Sequence, residues 1–350
     1  MELVQRASDS PEAEEALIKL VQTDEDAVHA LVDLALGHEE SLDYLIFLAR
    51  LQPDILAPLS DIEISYHFAM TILKRIGPTG IAKLRKHAEK DANARFILGV
   101  AYENGCHVSQ SWSNAAYWYQ EALNMGCSAA RYYCAEAAFC AAYDATSPEE
   151  WVRLLQQSAQ NGNPIAQNNL GKLYADGEYV PRNAQEAGAW FLRSAEAGYP
   201  VAQYNMGIYY MHETGEKQDF EAAFKWFYEA ANQGYAMAQY YVGWFYECGL
   251  LGDKDYDEAI KWYSWAVEQG NCCGQHALGH CYEVGHGVDP CPEKALHWYR
   301  VSAAQRYGPA QRALARCLET GTGCKPDPAR ARYWRKLAEE NKGFQPIDAE

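Results

Sequence analysis

Residues 164–199 read PIAQNNLGKLYADGEYVPRNAQEAGAWFLRSAEAGY and residues 200–235 read PVAQYNMGIYYMHETGEKQDFEAAFKWFYEAANQGY; the second stretch is the first moved on by 36 positions. Trp190 falls on Trp226, Gln167 on Gln203, Gly171 on Gly207 and Tyr174 on Tyr210. The same step leads on to Trp262, Trp298 and Trp334, to Gln239, Gln275 and Gln311, to Gly243 and Gly279, and to Tyr246 and Tyr282. A fixed period of this size marks a stacked helical repeat. Each unit carries an apolar face that only its neighbours can cover, so stability accumulates along the array.

Each unit reads as two helices. Ala166, Leu170, Gly171 and Tyr174 share one helical face at i, i+4, i+5 and i+8. A glycine loop follows, then a second helix carrying Ala187, Trp190, Phe191 and Ala195, with Gly198 as its C-terminal cap. Gly126, Gly162, Gly234 and Gly270 hold the same place. The frame can be laid down seven times, beginning near Ala92, Ser128, Pro164, Pro200, Ala236, Cys272 and Gly308. The second unit is weak, with Cys134-Ala135 for Leu-Gly and Leu154 in the Trp slot; the seventh has Ala315 for Gly and Leu318 for Tyr. The ladder tryptophans are expected to pack between helices, so that their loss unfolds the array.

Residues 1–90 lie outside the frame yet keep helical periodicity. Apolar stripes predict three short helices between Pro11 and Pro53, and two more at Asp61–Arg75 and Thr79–Lys90, parted by Gly77 and Pro78. This region is a helical cap or a set of degenerate repeats; an array end otherwise exposes core surface. The expected division is therefore 1–90, the repeats at 91–341, and a short tail at 342–350.

The formal charge of -17 argues against a nucleic-acid partner, which needs an excess of Lys and Arg, and disfavours an anionic membrane surface. Charge is uneven: residues 1–73 carry fifteen acids and three bases, whereas 300–342 carry ten bases and four acids. No run of eighteen apolar residues exists, so no membrane span is expected. The acidic start MELVQRASDSPEAEE does not read as a signal peptide, which points to a cytoplasmic chain. Eleven cysteines, an odd count, are expected as reduced thiols.

No GxSxG, Walker lysine or dinucleotide glycine pattern is present, so no catalytic residue, cofactor or enzymatic activity is expected. The stretch 272–291, CCGQHALGHCYEVGHGVDPC, raises a metal reading through His276 and His280 at i, i+4 with Cys273 and Cys281 nearby. Without a HExxH pattern or zinc-module cysteine spacing, no metal is expected there.

AxxxxLGxxYxxG followed by AxxWY/F and a closing Gly resembles the Sel1-like repeat, a relative of the tetratricopeptide repeat, over about 92–341. The resemblance implies an all-α, right-handed α/α superhelical solenoid of about seven 36-residue helix-turn-helix units that binds other proteins. Secreted relatives clip adjacent helices with cysteine pairs; here those slots hold residues such as Val267 and Gln275. In related repeats the first helices line a concave groove. Carried over, the groove column holds Phe96, Val100, Tyr132 and Glu136, then Asn168, Lys172, Tyr204, Ile208, Tyr240, Trp244, His276, His280, Arg312 and Arg316, with Met211, Met237 and Glu247 at its edge. Tyr, Trp, Met and Arg outside a core have the composition of a binding hot spot. The alternative is that the aromatics pack between neighbouring first helices. The functional expectation is a non-catalytic adaptor or scaffold for a partner protein; the other reading is an inhibitor or immunity protein that wraps one basic toxin or effector.

Overall fold

In a computed structural model, residues 61–211 and 218–341 are described, and they form fifteen α-helices with no strand among them. The helices expected before residue 61 and the tail at 342–350 lie outside the described residues. Contacts divide the chain into two compact units, residues 1–170 and 171–350. The first holds α1 (Asp61–His87), α2 (Ala92–Asn104), α3 (Trp112–Asn124), α4 (Ala130–Tyr143), α5 (Pro148–Gln160) and the start of α6 (Pro164–Asp176). The second continues with α7 (Ala184–Glu196), α8 (Pro200–Met211), α9 (Phe220–Asn232), α10 (Ala236–Cys248), α11 (Tyr256–Glu268), α12 (Cys272–Val284), α13 (Pro292–Ala304), α14 (Gly308–Thr320) and α15 (Pro328–Glu340). Within each unit a helix packs chiefly on its neighbours in sequence, the topology of a solenoid.

Helix α1 departs from expectation, because it runs unbroken through Pro78 where two helices were predicted. A proline inside a helix costs roughly 3 kcal/mol. Here Ala69 and Leu73 before it, and Ile81, Leu84 and Ala88 after it, form one buried stripe against the first unit's core. Packing outweighs the local break, and Pro78 itself stays exposed.

The rung that fills the repeat core is the residue after each tryptophan. Tyr119, Phe191, Phe227, Tyr263 and Tyr299 are 0–6% exposed, whereas Trp190, Trp226, Trp298 and Trp334 are half-buried and Trp262 alone is buried. A Cβ at Gly99, Gly171, Gly207, Gly243 or Gly279 would come within 2.5–2.8 Å of those rings. The column glycine is therefore there so that an aromatic ring can lie on the backbone of the first helix. The two degenerate units obey the same logic. Ala135 replaces the glycine where Leu155 takes the rung position, and Ala315 where Arg335 does.

The buried glutamines tie three helices together. Gln239 on α10 donates from Nε2 to the carbonyl of Ala231 at the end of α9 (3.3 Å), and its Oε1 accepts from Gln269 Nε2 at the end of α11 (2.8 Å). Gln203 repeats this with Ala195 and Gln233, and Gln311 with Ala303 and Asn341. In the first unit Gln167 donates to Ala159. A buried amide needs such partners, which explains why the column is Gln and not Leu.

The closing cap has one exception. Gly126, Gly162, Gly198, Gly234 and Gly270 have φ of 80–106°, but the sixth unit places Arg306 there at φ 68°. A non-glycine residue in this region costs about 1–2 kcal/mol. Its side chain recovers part of that by donating to Asn341 Oδ1 at 3.2 Å. Arg306→Gly should therefore raise stability by about 0.5–1 kcal/mol, read as a higher urea midpoint. An unchanged or lower midpoint would show that the hydrogen bond outweighs the backbone strain.

Candidate binding face of the second unit

Four successive first helices present pairs at i, i+4: Tyr204 and Ile208 on α8, Tyr240 and Trp244 on α10, His276 and His280 on α12, Arg312 and Arg316 on α14. The aromatics are half-buried. Tyr204 lies 5.3 Å from Tyr235 and 5.8 Å from Phe227; Tyr240 stacks on Tyr263 at 5.9 Å; Trp244 meets Phe245 edge-on at 5.6 Å. Each thus braces the repeat with one side and leaves part of its surface to solvent. Lys172, Arg312 and Arg316 are exposed.

Four members of the expected column are interior: Phe96 and Val100 are 3% and 0% exposed within the first unit's core, and two more are buried further on. Asn168 is 3% exposed, and Met237 is 7% exposed because it packs on Cys272 and Cys273 of the next first helix. Met211 is half-buried and has a structural reason to be apolar. Where the core rung is tyrosine, a glutamate sixteen residues earlier accepts its hydroxyl: Glu103 from Tyr119, Glu247 from Tyr263 (2.6 Å), Glu283 from Tyr299 (2.7 Å). Where the rung is Phe191 or Phe227, that position holds Ala175 or Met211. A buried hydroxyl needs an acceptor and a phenyl ring does not.

The face becomes polar at α12. Glu247 Oε1 stands 3.4 Å from His280 Nδ1 and 3.4 Å from His286 Nδ1. Burial works to raise the Glu247 carboxyl, but hydrogen bonds from His280 and Tyr263 and the His280 charge outweigh it and hold the group down at about 2. The same hydrogen bond, donated to Glu247, raises His280. His276, wedged between Tyr299 (5.5 Å) and Tyr307 (5.7 Å), is pushed down to about 4 by burial, then by His280, Arg312 and Arg316.

Beside His276 a cavity of about 380 Å³ is lined by His276, His280, Tyr299, Pro309, Arg312, Ala313 and Arg316. Arg316 pairs with Glu283 at 2.6 Å. No ion pair among the described residues engages Arg312. The grouping of His276 and His280 with Cys273 and Cys281 does not converge on one point. Cys281 is buried against Ala259, Tyr263 and Ala277, and burial pushes its thiol up to about 12. None of the eleven cysteines is in a disulfide. The histidine that does join Glu247 and His280 is His286, which sequence reasoning missed because it sits in the loop after α12 and not on a helical face. No described helix is long and apolar enough to cross a membrane.

The Sel1 repeat matches six segments: residues 92–127, 164–199, 200–235, 236–271, 274–307 and 308–341. The segment left out is the unit whose Leu-Gly and Trp have drifted, although it still folds as α4 and α5. No curated protein matches the chain. Among solved structures, a Sel1 repeat protein from Oxalobacter formigenes is 33% identical over 61% of this chain and 83% of its own, with a TM-score of 0.46. The protective antigen c5321 of uropathogenic Escherichia coli, which displays the same fold, is 24% identical over 93% of this chain and 79% of its own, with a TM-score of 0.56. Immunity protein Pa5087 from Pseudomonas aeruginosa is 19% identical over 71% and 81%, with a TM-score of 0.30. With its glycine, glutamine and aromatic columns explained by the packing of successive helices, and six segments matched, the chain belongs to the Sel1 repeat family.

Proposed function

We propose that the second unit is a non-catalytic receptor for another protein, which it grips along the column from Tyr204 to Arg316. Half-buried Tyr204, Ile208, Tyr240 and Trp244 supply apolar anchors, and the partner brings an acidic segment to the cavity at Arg312. The observation that carries this reading is that cavity: a cationic recess whose Arg312 is in no ion pair among the described residues, on a chain of charge -17. Family membership points the same way, since Sel1 repeats generally serve as protein-binding scaffolds.

The test is capture from native lysate by the full chain and its variants. Trp244→Ala and Arg312→Glu should each weaken capture by about 30-fold, the equivalent of a hot spot worth ~2 kcal/mol, with the thermal midpoint little changed. Collapse of the fold in Trp244→Ala would instead assign that ring to packing. Capture of several proteins, weakening as salt rises, fits an adaptor. One stoichiometric ligand held through high salt would identify a dedicated inhibitor and overturn the adaptor reading.

A further inference from the structure

We propose that Glu247, His280 and His286 form a binding site for one divalent transition-metal ion of the zinc class, with its fourth position open to solvent or to a partner's side chain. Glu247 Oε1 lies 3.4 Å from both histidine Nδ1 atoms, and the three ligand atoms all lie within 4.8 Å of one another. Those separations are long for hydrogen bonds. The two 3.4 Å separations match the edge of a tetrahedral site, where zinc bonds of ~2.0–2.1 Å set ligand atoms about 3.3–3.4 Å apart. The ligand set, two imidazoles and a carboxylate, is that of a zinc centre with an open position.

The ligands are held from behind. Tyr263 donates to Glu247 Oε2 at 2.6 Å, leaving Oε1 turned toward the histidines, which is the part an outer partner plays at a metal centre. The His286 ring stacks on Tyr256 with centroids 4.1 Å apart, and its backbone N–H donates to Cys281 O at 3.1 Å. Left-handed Gly285 and Gly287 flank it, and a Cβ on Gly287 would meet the Tyr256 carbonyl at 2.8 Å. An ion can arrive from solvent, since the side chains of His280, His286 and Glu247 are 44%, 26% and 16% exposed.

The array does not need these histidines. At the position of His280 other units carry Lys172, Ile208, Trp244 and Arg316, and at that of His286 they carry Glu178, Leu250 and Thr322. Arg316, a cation that acts on His280, is engaged by Glu283 at 2.6 Å. Two histidines on one carboxylate are therefore an addition to the repeat and not part of its framework. This proposal does not depend on the identity of a protein partner.

The test is titration of the full chain, stripped with chelator and kept reduced, first with Co2+ and then with Zn2+. One Co2+ per chain should bind, with visible d–d bands, no thiolate-to-cobalt charge-transfer band, and displacement by Zn2+. Glu247→Gln and His286→Asn should each weaken binding by about 100-fold, and Tyr263→Phe by about tenfold, while exposed His297→Asn should leave it unchanged. Far-ultraviolet circular dichroism checks the fold; if Glu247→Gln disturbs it, the loop variant His286→Asn carries the comparison. Absence of binding, equal affinity in His286→Asn, or a strong thiolate band placing the ion on the cysteines would overturn the site.

Discussion

Phe227→Ala should destabilise the second unit by about 3–5 kcal/mol, while Trp190→Ala should cost under about 2 kcal/mol. Phe227 is 0% exposed, lies over Gly207, and stacks on Tyr241 with centroids 4.6 Å apart and planes 3° from parallel. Truncating it removes the ring and leaves a cavity that helices on both sides cannot easily close. Trp190 is half-buried, and one of its faces carries the Arg193 guanidinium at 4.5 Å instead of core atoms. Because a domain of this kind holds about 5–15 kcal/mol in total, the phenylalanine variant should sit near the edge of folding at room temperature. Urea denaturation of the two variants decides the matter. Equal costs would return the tryptophan to the central rung.

Lowering the pH from 7 to 4 should weaken the second unit by about 3 kcal/mol through His276 alone. Its folded value of about 4 lies below the usual 6.5 because burial, His280, Arg312 and Arg316 all oppose the charged form. A base depressed in the folded state contributes stability that is present above 6.5 and lost as pH falls through about 4. His280 works in the opposite sense: raised by Glu247, its contribution is full below 6.5 and fades as pH climbs through the raised value. Glu247, held at about 2, keeps its contribution above 4.5 and loses it only toward pH 2. The measurement is the urea midpoint at pH 7 and pH 4 for the native chain and His276→Gln. The native chain should lose more than the variant, and parallel losses would show that His276 has no part in the acid response.

The period of 36 made the fold readable, because Gly, Gln and aromatic columns recur for contacts that recur. What the columns did not disclose was which of two adjacent aromatics points inward; Trp190 and Phe191 both recur, and only helix packing separates them. Pro78 misled for a related reason, since a local rule was outweighed by a buried stripe on both sides of it. The pairing of Glu with Tyr and of Ala or Met with Phe was open to inspection in the sequence, and it would have assigned Glu247 and Met211 to the framework before any groove was considered. His286 had no such signal: its neighbourhood depends on two left-handed glycines that fold its loop back over Tyr256.

The glutamine ties also decide how such a chain can lengthen or be cut. Gln239 reaches back eight residues to Ala231 and forward thirty to Gln269, so one tie spans slightly more than a single period. A segment duplicated in register from within 200–341 meets the same kind of forward partner at its borders, because Gln203, Gln239, Gln275 and Gln311 each have Gln or Asn thirty residues on. An insertion out of register strands a buried amide at each junction. Chimeras built from this chain should therefore exchange blocks in whole multiples of 36, and a donor block should keep Gln or Asn at its thirtieth position after the core glutamine.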